Sequence, residues 1–440
     1  MGLTITGGLQ FGSGFSLIAP ASGGGGPYWM STLSSVSYWE SASAVTTDSN
    51  NNIYLSGTGW GGSTQYDIFF GKLNTSAAIQ LQKTFGTNNT DTSYGITVDS
   101  SGNIYLAGFI TSGGTLQDFI VTKINSTGVI EWFRTIPDEQ GVNDASYSIK
   151  VDSNGNVYAS GVTYPAGSNK NVFIVKFNST GDIQWRKVLS GVSEARSIQL
   201  DSSGNIYISG LANIGGVNKI LVVKFSSSGN VTWQRSLGSA NAAQSNGIAV
   251  DSSGNVYVCG YSGATLTAIV AKYDSSGSLL WQRLISGETN AGYTSIALDS
   301  NNNVYLTGYY ITSGSTNALV VTKYDSSGNL QWKRFISSAA TVYGSGITID
   351  NTGDVVICGY VNNGTTNDIL IVKLPNDGSK LGTYAVGLIS LTYGDWTYTE
   401  GAANLTSSTS TLAVSDVTNT AYSGNYTTKS PNLISTVTQL

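Results

Sequence analysis

Acidic side chains are the residues best suited to catalysis in this chain, because it contains no histidine. Histidine is the usual general base near neutral pH and the commonest metal ligand, so Ser-His-Asp and Cys-His nucleophilic sites are excluded. Glycosidic hydrolysis needs two carboxylates across one bond, and the six glutamates share no repeated position that suggests a pair. Asp138 and Glu139, followed by Asp144, form the densest acidic loop. A charge cluster marks a site only when it is buried, so we interpret this loop as solvated and predict no catalytic residue.

A short turn motif that begins with aspartate occurs seven times, with the form Asp-x-x-(Gly/Asn)-(Asn/Asp)-(Ile/Val)-(Tyr/Val)-x-small-Gly. The seven aspartates are Asp48, Asp99, Asp152, Asp201, Asp251, Asp299 and Asp350. Each turn supplies one carboxylate, or two where Asp354 joins Asp350. A calcium loop usually brings several carboxylates to six or more oxygen ligands. We therefore predict structural turns, with no bound metal and no cofactor.

The spacing of these turns predicts the fold. Successive aspartates lie 48 to 53 residues apart, a period typical of a repeated supersecondary unit. In the second copy, four short runs rich in β-branched residues are separated by turns or a loop. Four antiparallel strands per unit are typical of a propeller blade. The predicted fold class is all-β, a seven-bladed β-propeller of four-stranded antiparallel blades over residues 28–386.

The fourth strand of the unit carries a recurring tryptophan and a basic residue two positions later. The tryptophans are Trp132, Trp185, Trp233, Trp281 and Trp332, with Leu81 in the first copy. The basic residues are Lys83, Arg134, Lys187, Arg235, Arg283 and Arg334. We predict that the rings fill the seams between blades. A charge on an outermost strand protects it against edge-to-edge pairing, and we assign that role to the basic residues.

Closure of the ring requires a seventh fourth strand, and two segments are candidates for it. Residues 29–33, upstream of the first copy, repeat the Trp-x-x-x-Leu pattern. Residues 380–386 follow the seventh copy but lack the tryptophan. We favour the upstream segment, with residues 28–33 closing the last blade, because it would remove the open edge of that blade.

The first 27 residues differ from the repeat. Residues 1–20 place apolar side chains on alternate positions with glycines between them, and residues 21–27 read as a flexible Gly-rich linker. The alternating residues are Leu3, Ile5, Leu9, Phe11 and Phe15. A strand of this length needs an existing surface to pair with. We predict an N-terminal attachment arm; a disordered terminus is the alternative.

Residues 387–440 form a tail rich in Ser and Thr. Residues 391–398 are predicted to form a hairpin. The rest has the composition of a segment that is disordered or that wraps along a neighbour, and the sequence does not choose between the two. The tail is also a candidate surface for homo-oligomer formation.

Composition limits the partners. Charged residues make up 11% of the chain, against about 25% in typical domains, and the net charge is −5 without a block of Lys or Arg. Nucleic acid is therefore excluded as a partner. No stretch approaches the roughly 20 apolar residues of a membrane-spanning helix, so membrane insertion is not expected. The start also lacks the pattern of a signal peptide.

The variable loops of a propeller lie on one face, opposite the repeated turns. These loops join the second strand to the third and each blade to the next, and binding residues concentrate on variable loops held by a rigid scaffold. The predicted ligand-binding face carries Trp60, Tyr66, Phe109, Tyr164, Tyr261, Tyr309, Tyr310, Tyr360, Asp138 and Glu139. Aromatic rings with polar neighbours suit a host glycan or protein surface. The alternative is that several of these tyrosines only cap strand ends.

The repeat resembles the SBBP-type β-propeller repeats of bacterial surface proteins and marine bacteriophage virion proteins. The residues that carry the resemblance are D-S-S-G-N-(I/V)-Y joined to (I/V)-x-K-(F/Y/I)-(D/N)-S-(S/T)-G-x-(I/L)-x-W. The opening T-I-T-G-G-L-Q-F-G-S-G-F-S is similar to the start of phage structural proteins. The resemblance implies a virion component assembled in host cytoplasm, such as a tail fibre or receptor-binding protein. Contacts with other virion proteins would then run through residues 1–20.

Three functions remain open at this stage. The first is a non-enzymatic virion structural protein that is tethered by its N-terminus and presents the variable face to the host surface. The second is a bacterial cell-surface adhesin of the repeat-propeller type, placed on the cell surface instead of the virion. The third is a glycan-cleaving propeller enzyme, which release of reducing ends from host polysaccharide would reveal.

Overall fold

The computed structural model describes residues 28–33, 39–60, 65–87, 89–112, 116–136, 143–164, 170–191, 193–286, 290–311, 316–362, 364–386, 389–395, 399–402, 405–409 and 414–416. These residues form seven antiparallel sheets, one for each copy of the repeat, which confirms the seven-bladed propeller of four-stranded blades. The predicted attachment arm, with Leu3, Ile5, Leu9, Phe11 and Phe15, lies outside the described residues, as do Asp138 and Glu139. In the described part of the chain no helix has the length and apolar character of a membrane span.

Blades one to six are each ordered from an inner to an outer strand along the sequence. The first strand is β1 (Trp29–Leu33). Blade one holds β2 (Ser41–Thr47), β3 (Ile53–Trp60), β4 (Tyr66–Leu73) and β5 (Ile79–Phe85); blade two holds β6 (Thr92–Val98), β7 (Ile104–Ser112), β8 (Leu116–Ile124) and β9 (Ile130–Ile136). Blade three holds β10 (Ala145–Val151), β11 (Val157–Thr163), β12 (Asn171–Phe177) and β13 (Ile183–Leu189); blade four holds β14 (Ser193–Leu200), β15 (Ile206–Ile214), β16 (Val217–Phe225) and β17 (Val231–Gly238).

The remaining blades follow the same order. Blade five holds β18 (Ala243–Val250), β19 (Val256–Ser262), β20 (Thr267–Tyr273) and β21 (Leu279–Ser286); blade six holds β22 (Ala291–Leu298), β23 (Val304–Ile311), β24 (Asn317–Tyr324) and β25 (Leu330–Ser337). Blade seven holds β26 (Val342–Ile349), β27 (Val355–Asn362) and β28 (Asn367–Leu374). The segments that follow are β29 (Gly382–Val386), β30 (Ile389–Asp395), β31 (Thr399–Ala402), β32 (Thr406–Thr409) and β33 (Val414–Asp416).

Blade seven takes its outermost strand from the start of the chain. Strand β1 pairs antiparallel with β28, with Trp29 opposite Lys373 and Leu33 opposite Ile369. Trp29 and Leu33 are buried in a cluster that also contains Leu55 of blade one and Ile371 of blade seven. The segment at residues 380–386 does not pair with β28; its strand β29 forms a hairpin with β30. The two ends of the ring are thereby joined through backbone hydrogen bonds and a shared core.

The tail segments add outer strands to four blades, which the sequence did not specify. Strand β30 pairs with the fourth strand of blade six, β31 with that of blade five, β32 with that of blade four and β33 with that of blade three. Leu391 and Tyr393 are buried against blade six, and Asp395 forms an ion pair of 2.7 Å with Arg334. The hairpin predicted over residues 391–398 is therefore wrong: it lies over residues 382–395, and its second strand also extends the sheet of blade six.

The recurring tryptophan and basic residue join neighbouring blades. Trp132 Nε1 donates to the carbonyl of Ser179 at 3.1 Å, and Arg134 Nε donates to the carbonyl of Gly181 at 2.7 Å, both in the following blade. Arg235, Arg283 and Arg334 make the same contact with Gly277, Gly328 and Gly378. Edge protection is wrong for Arg235, Arg283 and Arg334, because their strands pair with tail strands and their guanidinium groups link blades. For Arg134 it stays a prediction.

The glycine that ends each repeat motif is required by a close backbone approach. A Cβ on Gly260 would lie 1.9 Å from the carbonyl oxygen of Gln244, and a Cβ on Gly210 would lie 1.8 Å from that of Glu194. Heavy atoms cannot approach so closely, so a side chain at this position forces the inner two strands of the blade apart. This contact explains why the motif ends in glycine in all seven copies.

Replacement Gly260→Ala is expected to destabilise the protein by about 3 kcal/mol or more, because backbone rather than a flexible side chain must move. The measurement is the midpoint of urea unfolding. Gly238→Ala is the matched control, since its Cβ would meet only the Lys219 side chain at 3.1 Å, and we expect a change below about 1 kcal/mol. Equal effects of the two substitutions would contradict the role of the close approach.

Candidate functional site

The inner strand of every blade contains one β-bulge at the same place. The register with the second strand shifts five residues before the turn aspartate, as at Ser93/Gly95 and Ala195/Ser197. A bulge leaves one residue unpaired and changes the direction of its side chain. The seven bulge residues are Ser43, Tyr94, Tyr147, Arg196, Asn246, Thr294 and Ser345. They form a ring of variable residues on the inner strands, between the repeated turns and the variable loops.

On one side of this ring three tyrosines form a stack. Tyr343 lies between Tyr309, with ring centroids 5.0 Å apart and planes at 21°, and Tyr360, at 5.3 Å and 12°. All three side chains are half-buried. Tyr261 lies close enough to influence the pKa of Tyr309, and its hydroxyl donates to Gln244 Oε1 at 3.1 Å. Both faces of the Tyr343 ring are therefore covered, and the stack leaves the ring edges and the outer faces of Tyr309 and Tyr360, with polar groups beside them.

A second aromatic group comes from blades two and three. The Tyr94 ring lies 5.3 Å from Tyr147 and 5.9 Å from Phe109. The guanidinium of Arg196 lies over the Tyr147 ring at 5.6 Å from its centroid, a cation–π geometry. We call Tyr94, Tyr147, Arg196, Tyr343 and the three rings that they contact (Phe109, Tyr309 and Tyr360) the channel-mouth cluster.

Arg196 connects the two aromatic groups electrostatically. Burial raises the pKa of Tyr94, Tyr147 and Tyr343, and in each case the positive charge of Arg196 opposes the increase. Those tyrosines belong to blades two, three and seven, so the charge of a blade-four residue acts across the axis of the ring. Because burial prevails, the phenols stay protonated near neutral pH and remain available as hydrogen-bond donors.

Two cations and one buried carboxylate lie at or beside the cluster among the described residues of blades three and four. The Glu194 side chain is 4% exposed and pairs with two cations, Arg196 Nη2 at 2.9 Å and Lys170 Nζ. Lys170 also lies over the Tyr164 ring at 5.7 Å. The side chains of Arg196 and Lys170 are 36% and 40% exposed, so both cations reach solvent while their counter-ion does not. Arg196 and Lys170 are therefore more accessible to a ligand than the Glu194 carboxylate between them.

The structure brings some of the predicted binding residues together and separates others. Phe109, Tyr309 and Tyr360 belong to the channel-mouth cluster, and Tyr164 and Tyr261 lie beside it. Tyr310 packs against the apolar core between blades five and six. Side chains alternate between the two faces of a strand, so Tyr310 points away from the side that carries Tyr309. Trp60 and Tyr66 lie opposite one another at the end of the second and third strands of blade one.

Sequence reasoning missed Tyr94, Tyr147, Arg196 and Tyr343. The first three occupy the position five residues before the turn aspartate, where the seven copies carry five residue types of different size and charge instead of one repeated residue. This variability inside an otherwise repeated strand could have indicated binding residues. The sequence does not show the bulge, and without the bulge the position is predicted to be a regular strand residue. Trp39, 53% exposed between β1 and β2, was also missed.

The turn aspartates have no free ligand atoms. Asp48 Oδ1 accepts the backbone N–H groups of Asn50 and Asn52 at 2.9 Å, and Oδ2 accepts Asn52 Nδ2 and the Tyr54 hydroxyl at 2.7 and 3.0 Å. Burial raises the pKa of Asp48, but these hydrogen bonds outweigh it and leave the pKa below its usual range. The same pattern recurs at Asp99 and Asp201. Four donors per carboxylate fit a structural turn.

One pair of carboxyl groups is buried in the seam between blades one and two. Asp67 and Asp91 are 2% and 0% exposed, and an oxygen of each lies within 2.5 Å of where a Cβ on Gly86 would sit. Burial, with the nearby charge of Asp91, raises the pKa of Asp67 to about 7. Burial also raises the pKa of Asp91 to about 6, although hydrogen bonds from Thr87 and Thr111 oppose it. Neither carboxyl group is open to a polymer such as a glycan.

Comparisons with known proteins agree with the repeat. Residues 83–113 and 232–266 match the family described as SBBP, Beta-propeller repeat, so the resemblance of the repeats to that family is confirmed over these two segments. No curated protein matches the chain. Sqt1 from Chaetomium thermophilum is 10% identical, with a TM-score of 0.44 over 82% of this chain and 97% of that one. A glucose dehydrogenase is also 10% identical, with a TM-score of 0.41 over 64% and 96%. Similarity at this level says nothing about function.

Proposed function

We propose that this propeller is a non-enzymatic binding protein that holds a surface glycan at the channel-mouth cluster. The observation that supports this is the convergence of Tyr343, Tyr94, Tyr147 and Arg196 from four blades on one end of the ring axis. Sugar rings offer apolar C–H faces and a rim of hydroxyls. The outer rings of the stack provide apolar faces, the phenol hydroxyls provide polar groups at the ring edges, and the exposed cations provide donors.

We propose further that the protein acts as the receptor-binding part of a virion, as a tail fibre or similar component, held through residues 1–20. Support for this comes from the resemblance of the opening segment to phage structural proteins. A bacterial surface adhesin is the competing assignment, and it would use the same cluster. The two differ in where the protein is located and in what residues 1–20 contact, and not in how the ligand is bound.

Substitution in the cluster is expected to weaken glycan binding strongly. Tyr343→Ala removes the middle ring of the stack and Arg196→Ala removes the central cation, and we expect each to lower affinity about 30-fold, as for a binding hot spot. The measurement is binding of the full chain to an array of bacterial surface polysaccharides, followed by titration of the best ligand. Leu280→Ala is the control, because Leu280 is 53% exposed on β21, the fourth strand of blade five.

Unchanged affinity in both cluster variants would refute this location of the site. The same incubation distinguishes binding from cleavage, because a glycan-cleaving enzyme releases new reducing ends and a binding protein does not. If no polysaccharide binds and none is cleaved, the assignment to glycans fails and a protein receptor becomes the ligand to search for on the same cluster.

A further inference from the structure

The ring axis contains a cavity on the side of the repeated turns, away from the channel mouth. Its volume is about 250 Å³, and it is lined by inner-strand residues that lie one to three positions before the turn aspartate in all seven blades. The lining residues include Lys150, Gln199 and Thr348, whereas the side chains of Ile96, Ile296 and Ile347 are buried in the apolar clusters between blades. A water molecule occupies about 30 Å³ in the liquid. The cavity is therefore large enough for several waters or for one small solute.

Lys150 is the residue that departs from the repeat at this level. The equivalent positions, two before the turn aspartate, carry Thr46, Thr97, Gln199, Ala249, Ala297 and Thr348, which are all uncharged. The side chain of Lys150 has no hydrogen bond or ion pair with any part of the chain that the structure describes. This side chain is half-buried, and its burial lowers the pKa of Lys150 with no carboxylate opposing the shift. The axis thus holds one cation without a protein counter-ion among the described residues.

A half-buried ammonium group without a counter-ion can be hydrated by water in the cavity, can lose its proton, or can bind an anion that supplies the missing charge. The neighbouring side chains favour an anion. Gln199 accepts the Leu200 N–H at 3.3 Å through Oε1, which leaves its amide NH₂ to donate, and Thr46 and Thr348 add hydroxyl groups on the side of blades one and seven. No acidic residue lines the cavity among the residues described.

We propose that the axial cavity binds a small oxyanion, of the size and charge of phosphate or sulfate, with Lys150 as its counter-ion and Gln199, Thr46 and Thr348 as hydrogen-bond donors. Such an anion adds contacts between blades one, three, four and seven at the centre of the ring. The site is separate from the channel-mouth cluster, which lies at the opposite end of the axis and involves none of these residues.

The test is the thermal unfolding midpoint of the full chain in increasing inorganic phosphate, with sodium chloride adjusted to constant ionic strength. We expect the wild-type midpoint to rise by about 2 °C or more and to saturate, because a ligand of the folded state alone stabilises it by mass action. Lys150→Met should abolish the saturable rise. Lys219→Met removes one positive charge outside the cavity, and this variant should keep the saturable rise of the midpoint. The comparison separates binding at the site from general effects of phosphate on protein surfaces.

Two further measurements complete the test. Isothermal titration of phosphate into the wild type should give saturable heat that Thr348→Val reduces, which covers the case that Lys150→Met fails to fold. Arg196→Ala should leave the phosphate response unchanged, so loss of glycan binding and loss of anion binding are distinguishable. An equal response of wild type and Lys150→Met, or no heat in the wild type, would overturn the proposal.

Discussion

Replacement Lys373→Met is expected to destabilise the protein by about 3–5 kcal/mol, because it leaves a buried carboxylate without its counter-charge. Lys373 Nζ lies 2.7 Å from Asp350 Oδ2 and 3.5 Å from Asp354 Oδ2, and the side chains of Lys373 and Asp350 are 4% and 1% exposed. In other blades a tyrosine hydroxyl donates to the turn aspartate, but blade seven has Val356 at that position. The ammonium of Lys373 takes over that contact.

The matched control is Lys323→Met in blade six. Lys323 occupies the same strand position, but it lies over the Tyr305 ring at 4.9 Å and donates to the carbonyl of Asn376 at 3.2 Å without a carboxylate partner among the described residues. We expect a loss of about 1 kcal/mol or less there. The measurement is the free energy of unfolding of both variants and of wild type in urea. Equal losses of stability in the two variants would show that the Lys373 ion pair stabilises the protein no more than the contacts of Lys323 do.

The effect of Lys373→Met should depend on pH. Burial raises the pKa of Asp350, but hydrogen bonds from Lys373 and Thr352 and the charge of Lys373 outweigh it, so the folded-state pKa is lowered. The stability gained from this shift is present above the unfolded pKa of about 3.9 and is lost as pH falls through the folded value. The difference in the free energy of unfolding between wild type and Lys373→Met should therefore be largest near neutral pH and should become smaller in acid.

Deletion of residues 1–33 is expected to produce the second large loss, because it removes β1 and leaves β28 as an open edge. The deletion exposes the apolar cluster that Trp29 and Leu33 cover between blades seven and one. Burying two such side chains contributes several kcal/mol, at about 1.5–3 kcal/mol for each. We expect a lower thermal midpoint, together with self-association through the unpaired edge, measured by calorimetry and by light scattering.

Deletion of residues 1–20 alone is the control for the closing strand. It leaves β1 in place, so ring stability should match wild type, while association with virus particles should be lost if these residues form the proposed attachment arm. A peptide of residues 28–40 added to the longer deletion should restore the thermal midpoint by pairing with β28. Full stability of the longer deletion without the peptide would contradict the role of β1.

The fold could be predicted because the sequence repeats its turn chemistry. The aspartate and the final glycine of the motif, and in six copies the tyrosine, make contacts inside one unit, such as the Tyr54 hydroxyl on Asp48, so they recur with the unit. The tail could not be predicted in the same way. Its strands pair through backbone groups with outer edges of four blades, and a Ser- and Thr-rich sequence carries little record of such pairing. The arginine links were missed because their partners are backbone carbonyls.

The candidate site was less accessible to sequence analysis than the fold. Tyr309 and Tyr360 were identified because each comes directly after the glycine that ends the repeat motif, near the end of the second strand, where a variable loop begins. Tyr343 and Arg196 lie within strands that pattern alone assigns to scaffold. Their grouping depends on the bulge and on the closure of the ring, which brings blade four opposite blade seven. Closure of the ring also brings together Asn51 and Asn351, which are 300 positions apart, in the seam between blades one and seven.

The origin of the closing strand also sets the order of events while the chain is being made. Strand β1 precedes all seven blades in the sequence, but its partner β28 is synthesised only after six complete blades. Each of those six blades has its own four strands as soon as they are synthesised, whereas Trp29 and Leu33 have no partner strand until β28 follows. A product that terminates before β28 therefore keeps an apolar, unpaired strand ahead of blade one, and chaperones and proteases recognise such features.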